Sequence, residues 1–142
     1  GAPPEPAALN AAQPDPRLRA HLQQVLASLP EDDGATTPAQ LSQAMANGAD
    51  ILLLDIRSPG EVQAKGFIAW DRQLRIPIEE LVARRAELPE DKATPIVTYC
   101  GSGYRCLLVM MMLRSYGYLD VNNLVGGLTG WDAAGYPIAI EP

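Results

Sequence analysis

"PIVTYCGSGYRCLLVMMMLRSYG", Pro95 to Gly117, places a strand, a glycine turn and a helix in one unbroken stretch. "PIVTYC" is a short apolar run ending in an aromatic and a cysteine, the pattern of a parallel strand buried on both faces. Tyr104 to Tyr116 has helical character and is apolar nearly all round, so it is expected to lie buried, and Gly117 ends it. Cys100 closes the strand, and the predicted helix begins within a few residues of it.

The flanking sequence repeats this alternation. "ILLLDI" (51–56) is a second continuous apolar run, and "QLRIP" (73–77) and "NNLVGG" (122–127) read as weaker strands. "PRLRAHLQQVLASLP" (16–30) carries Leu18, Leu22, Val25, Leu26 and Leu29 at helical spacing, with Pro30 closing it. "EDDGATT" (31–37) reads as a loop. Thr37 and Pro38 make an N-cap and first-turn pair, and Gly48 a stop, for a helix over "AQLSQAMAN" (39–47). "SPGEVQA" (58–64) is a short helix or turn, "IEELVARRAEL" (78–88) an amphipathic helix ending before Pro89, and "LTGWDAAG" (128–135) a short closing helix. Strands alternating with helices imply an α/β domain built on a parallel sheet.

Residues 1–16 hold five prolines and many alanines and read as a flexible leader; residues 17–35 form a helix and loop, and 36–142 the main domain. The chain starts at Gly1 without methionine. Together with the leader this suggests a tether left after export, hence a periplasmic or secreted location, with a cytoplasmic one as the alternative. The net charge of −6 argues against a general nucleic-acid-binding role and means that an anionic substrate must be attracted locally. Two cysteines and one histidine, with no Cys-x-x-Cys, predict neither a disulfide framework nor a metal site. The longest apolar run, Cys106 to Leu113, is too short to span a bilayer.

Chemistry concentrates at Cys100. In an open α/β sheet ligands bind at the carboxyl ends of the strands. Gly101 and Gly103 allow a tight turn whose N–H groups face inward. The helix N-terminus adds a partial positive charge and Arg105 a full one, so Cys100 is expected to be a nucleophilic thiolate beside a small-anion cradle. The phosphate-loop pattern G-x-x-x-x-G-K-[ST] is absent. Cysteine-dependent phosphatases use C-x5-R; here the spacing is C-x4-R, a tighter pocket suited to one extra sulfur atom on the cysteine.

Four stretches together resemble the single-domain rhodanese family of sulfurtransferases: "LLLDIRSPGEV" (52–62), "RIPIEEL" (75–81), "PIVTYCGSGYRC" (95–106) and "GGLTGWDAAGYP" (126–137). The resemblance covers roughly 36–140. Phe67 stands where the family usually has histidine, and the segment around it is longer. The resemblance implies a three-layer domain with helices on both faces of a central parallel sheet. It implies two half-reactions without metal or organic cofactor. Cys100 takes the outer sulfur of a donor such as thiosulfate, releasing sulfite, and the resulting persulfide passes it to cyanide or a thiol. Arg105 would attract the donor, while Gly101, Ser102, Gly103, Tyr104 and Cys106 would line the pocket. Asp55, Arg57 and Glu61 would support it, with an Arg57–Glu61 ion pair bracing the loop. Cys106 begins an apolar face and reads as a buried thiol rather than a resolving one. His21 reads as a surface residue, Met110 to Met112 as core filler and Trp131 as packing; Trp70 is divided between pocket wall and packing. The competing functions are a rhodanese-like interaction module with little turnover, with the N-terminal helix as one route to a protein partner, and, more remotely, a phosphatase or arsenate reductase.

Overall fold

The computed structural model describes residues 15–142, so nearly all of the leader lies outside the described residues. Five strands form one fully parallel sheet: β1 (Ala35–Thr36), β2 (Leu52–Asp55), β3 (Gln73–Arg75), β4 (Ile96–Tyr99) and β5 (Val121–Leu124). Their order is β1-β5-β4-β2-β3, with Leu54 opposite Thr98 and Ile96 opposite Val121. The helices are α1 (Pro16–Ala27), α2 (Pro38–Ala46), α3 (Pro59–Lys65), α4 (Tyr104–Ser115) and α5 (Gly127–Ala133).

Alternation along the strands sorts the core into two layers. Leu54 and Ile96 face α4, joining Val109, Met110 and Leu113. Leu53 and Val97 face the opposite way, joining Leu41 of α2 with Leu128 and Trp131 of α5. Helices therefore cover both faces of the sheet. Local chemistry marks the helix starts well. Thr37 and Gln40 form a reciprocal capping box on α2, and Ser58 and Glu61 form another on α3.

Three expectations are corrected. The stretch 78–88 is not one amphipathic helix but two 3₁₀ turns, Ile78–Glu80 and Arg85–Glu87. The Ile78 N–H is tied to the Ile56 carbonyl at 3.0 Å, and Leu81 and Leu88 are both drawn into the core. These tertiary anchors override the local helical period. Second, α4 is buried on one face only. Cys106, Val109, Met110 and Leu113 are covered, whereas Leu108 is 64% exposed, because α1 shields only part of its outer side. Third, residues 35–36 are not loop but the edge strand β1, paired with Asn123 and Leu124. A two-residue strand carries no periodicity to detect.

Candidate active site

β4 lies mid-sheet, where the chain order reverses between β5 on one side and β2 on the other, and Cys100 follows directly at its carboxyl end. This is the switch point at which an open α/β sheet leaves a crevice. The turn after it depends on Gly103, whose φ of 100° is a left-handed value suited to glycine. Gly103 caps α4 without any side-chain hydrogen bond, and its N–H donates to Cys100 Sγ at 3.2 Å.

A second glycine pair fits against this turn. Leu128 N–H donates to the Cys100 carbonyl at 2.8 Å, and Thr129 N–H to the Gly101 carbonyl at 2.9 Å. Gly127 has φ 58°, and a Cβ there would stand 2.5 Å from the Cys100 carbonyl oxygen. The start of α5 thus closes the back of the cysteine turn, and only glycine permits that approach.

Cys100 is fully buried. Its thiol is pushed down to about 5, chiefly by the neighbouring Cys106 side chain. Burial opposes this shift, and the backbone N–H groups of Cys106, Gly103 and Arg105 reinforce it. Cys106 is pushed the opposite way by Cys100 and by burial. Cys106 Sγ also lies 3.3 Å from the Gly103 carbonyl and 3.9 Å from the Asn123 side-chain amide. The Gly103 N–H stands in hydrogen-bond contact with Cys100 Sγ, while the Arg105 guanidinium is turned to Glu61.

Arg105 is engaged. Its guanidinium makes a two-pronged pair with Glu61, at 2.8 and 2.6 Å, next to Gly101. The pair holds the Glu61 carboxyl at about 2. The predicted Arg57–Glu61 pair does not form. Arg57 instead grips Asp55 at 2.9 and 2.7 Å, both side chains buried. Two residues apart at the end of β2, these side chains reach each other locally, while Glu61 on the first turn of α3 meets the β4 turn. Arg57 and Glu61 border the cleft, each with a partner other than the one expected, and Asp55 reaches it only through Arg57.

A cleft of about 420 Å³ opens beside the turn, bordered by Gly101, Glu61, Arg57 and Leu128. Ser102 and Tyr104 are solvent-exposed, Tyr104 at 79%. Phe67 does not border the cleft. Its backbone pairs with Ala139, and the Arg75 guanidinium stacks 4.3 Å above its ring. Trp70 is a packing residue whose indole donates to the Ile51 carbonyl at 2.8 Å. Trp131 packs as expected. The reading of the sequence missed Gly127 and Leu128 as parts of the site, and Lys65 and Asp132 on the cleft border. The paired glycines were the available signal; the two charged residues have none. Among the described residues no group of histidine, cysteine or acidic side chains could hold a metal, and no helix is long and apolar enough to cross a membrane.

The profile of the Rhodanese-like domain matches residues 37–134. A sulfurtransferase from Allochromatium vinosum is 40% identical over 98 residues, covering 69% of this chain and 87% of that protein. A tRNA uridine(34) hydroxylase from Xanthomonas axonopodis pv. citri is 27% identical, covering 84% of this chain and 54% of that protein. Among solved structures, a rhodanese-related protein from Thermoplasma volcanium superposes with a TM-score of 0.65 at 28% identity, covering 75% of this chain and 98% of that one.

Proposed function

Since this chain belongs to the rhodanese-like domain family, we propose that it is a sulfurtransferase that carries a sulfane sulfur on Cys100, from thiosulfate or a related persulfide donor to a thiol or cyanide. The observation that carries this reading is one buried sulfur set at the start of α4, with the Gly103 N–H donating to it at 3.2 Å. Such a setting favours a thiolate near neutral pH.

In the first half-reaction the Cys100 thiolate attacks the outer sulfur of thiosulfate. A new S–S bond forms to Cys100, the donor's S–S bond breaks, and sulfite leaves with the bonding pair. In the second, a thiolate or cyanide attacks the terminal persulfide sulfur, and Cys100 leaves as thiolate, stabilised by the same N–H. Arg105 receives the anionic donor by exchanging its Glu61 partner for the incoming oxygens. A guanidinium can hold such oxyanions with two parallel hydrogen bonds.

The test is the intact mass after incubation with thiosulfate, then with cyanide. One added sulfur atom, absent in Cys100→Ser and removed by cyanide as thiocyanate, is expected. No addition from thiosulfate or from a small-molecule persulfide would overturn the reading. It would favour an interaction module, for which the complete burial of Cys100 is the one supporting observation.

A further inference from the structure

Among the described residues ten large apolar side chains are exposed, and six of them lie on two helices that touch: Leu18, Leu22 and Leu26 of α1, and Tyr104, Leu107 and Leu108 of α4. Scattered singly, such residues need no explanation, but gathered on neighbouring elements they mark an interaction surface.

Each of these helices is half covered, and the other helix provides the cover. Val25 of α1 is buried, Leu29 just beyond it packs against the core layer that also holds Met111 and Met112, and Arg114 of α4 donates to the Ser28 carbonyl at 3.1 Å. The C-terminal part of α1 is thus pinned to the C-terminal part of α4. Both apolar faces run on past this crossing. At about 100° per residue, Leu18 and Leu22 lie within roughly 60° of Val25 around α1, so they continue the face that is buried at Val25. They are nevertheless 57% and 42% exposed, and with Leu26 they line an open cavity of about 450 Å³. On α4, Tyr104, Leu107, Leu108 and Met111 follow the spacing i, i+3, i+4, i+7 of one helical stripe. Met111 is half-buried, whereas the three residues before it stand in water.

Each molecule therefore carries two uncovered segments of a surface that it already pairs internally. We propose that a second copy of this chain covers both, in a two-fold dimer in which Leu18, Leu22 and Leu26 of each copy lie on Tyr104, Leu107 and Leu108 of the other. A two-fold axis makes the exchange reciprocal, so both segments are satisfied at once and the assembly closes.

Charge and size both suit this pairing. Neither α1 nor α4 contains an aspartate or glutamate, although the chain holds 17 acidic residues against 11 basic ones. The excess negative charge that would drive two copies apart is carried on other surfaces. The six side chains, each about half exposed, would remove on the order of 600 Å² per copy, about 1,200 Å² in all, the lower bound of a specific interface. The pairing does not depend on the sulfur-transfer reading.

Sedimentation velocity of the full chain across the micromolar range tests it. The wild type is expected to sediment as a dimer at the upper end of that range. Leu22→Glu and Leu108→Glu, each at an exposed position, are expected to weaken the dimer tenfold or more while circular dichroism stays unchanged. A monomer throughout the range would overturn the proposal, as would a dimer that survives both substitutions. A second measurement fixes the contact without relying on those variants. Leu22→Cys and Leu108→Cys chains are mixed and treated with a short bismaleimide, and the linked peptides are identified by mass; both native cysteines are buried. A link between position 22 of one copy and position 108 of the other is expected. Links joining only 22 to 22 or 108 to 108 would show like helices paired with like and would overturn the exchange.

Discussion

Two turns at the same edge of the sheet, one after β2 and one after β4, have the same strand–turn–helix plan and opposite internal wiring. The β2 turn satisfies itself with side chains. Asp55 holds Arg57, Ser58 caps the Glu61 N–H at 3.2 Å, and Glu61 returns to Ser58. The β4 turn has no side-chain cap at all; Gly103 starts α4 with its N–H turned onto Cys100 Sγ. A helix start leaves unsatisfied N–H groups that must find acceptors. Where a capping box takes them, the turn is a rigid wall. Where glycines leave them free, they can serve a bound anion or a thiolate. The difference separates scaffold from candidate reactive centre on one fold, and Glu61 links the two by clasping Arg105.

The largest expected effect breaks the wall. Asp55→Ala leaves Arg57 buried without its counter-charge, and Arg57 Nη1 already lacks a hydrogen-bond partner. A loss of about 3–5 kcal/mol in urea unfolding is expected. A loss below about 1 kcal/mol would mean that water reaches the arginine and that the β2 turn is not the rigid partner described.

Gly127→Ala attacks the opposite turn from behind. The left-handed φ and the short approach to the Cys100 carbonyl predict a cost of about 1–3 kcal/mol. Thermal unfolding measures it, and sulfur loading should fall with it, since the β4 turn moves. Normal stability with normal loading would show that the start of α5 does not set the cysteine turn.

Ser58→Ala removes the cap from α3, for about 1 kcal/mol by chemical denaturation. The comparison is sharpened if alkylation of Cys100 is unchanged, because the β4 turn has its own donors.

The smallest expected effect is a dependence on pH. The Glu61 pKa is depressed in the fold, so the unfolded chain takes up the proton first as pH falls. The contribution is complete above the ordinary value of 4.5 and is lost progressively as pH falls through about 2. Acid unfolding of Glu61→Gln should lack that component. Superimposable acid curves for the two proteins would show that the Arg105 clasp is not maintained in solution.

Much of this molecule can be read directly along the chain. "ILLLDI" and "PIVTYC" announce strands covered on both sides, and both proved central to the sheet. Thr37 and Ser58 mark helix starts because a cap is a contact over three residues, visible in any window. Cys100 stands out because its glycines and following helix are its immediate neighbours. Residues 78–88 misled for the same reason: their helical period is local, while Leu81 and Leu88 answer to a core assembled from distant strands.

The chain alone therefore determined the alternation of strands and helices, the caps, and the place where a nucleophilic sulfur meets a tight turn. All of these depend on near neighbours, whose geometry follows from backbone sterics and hydrogen-bond reach. Only the tertiary structure decided that Glu61 takes Arg105, 44 residues away, instead of Arg57. It alone decided that α4 leaves one apolar face in water, that Gly127 backs the Cys100 carbonyl, and that Cys106 shares Gly103 with Cys100. The first three of these facts depend on which side of the open sheet each element packs against, and the last on the Gly103 turn packed against Gly126 and Gly127. Neither is a property of any short stretch of sequence.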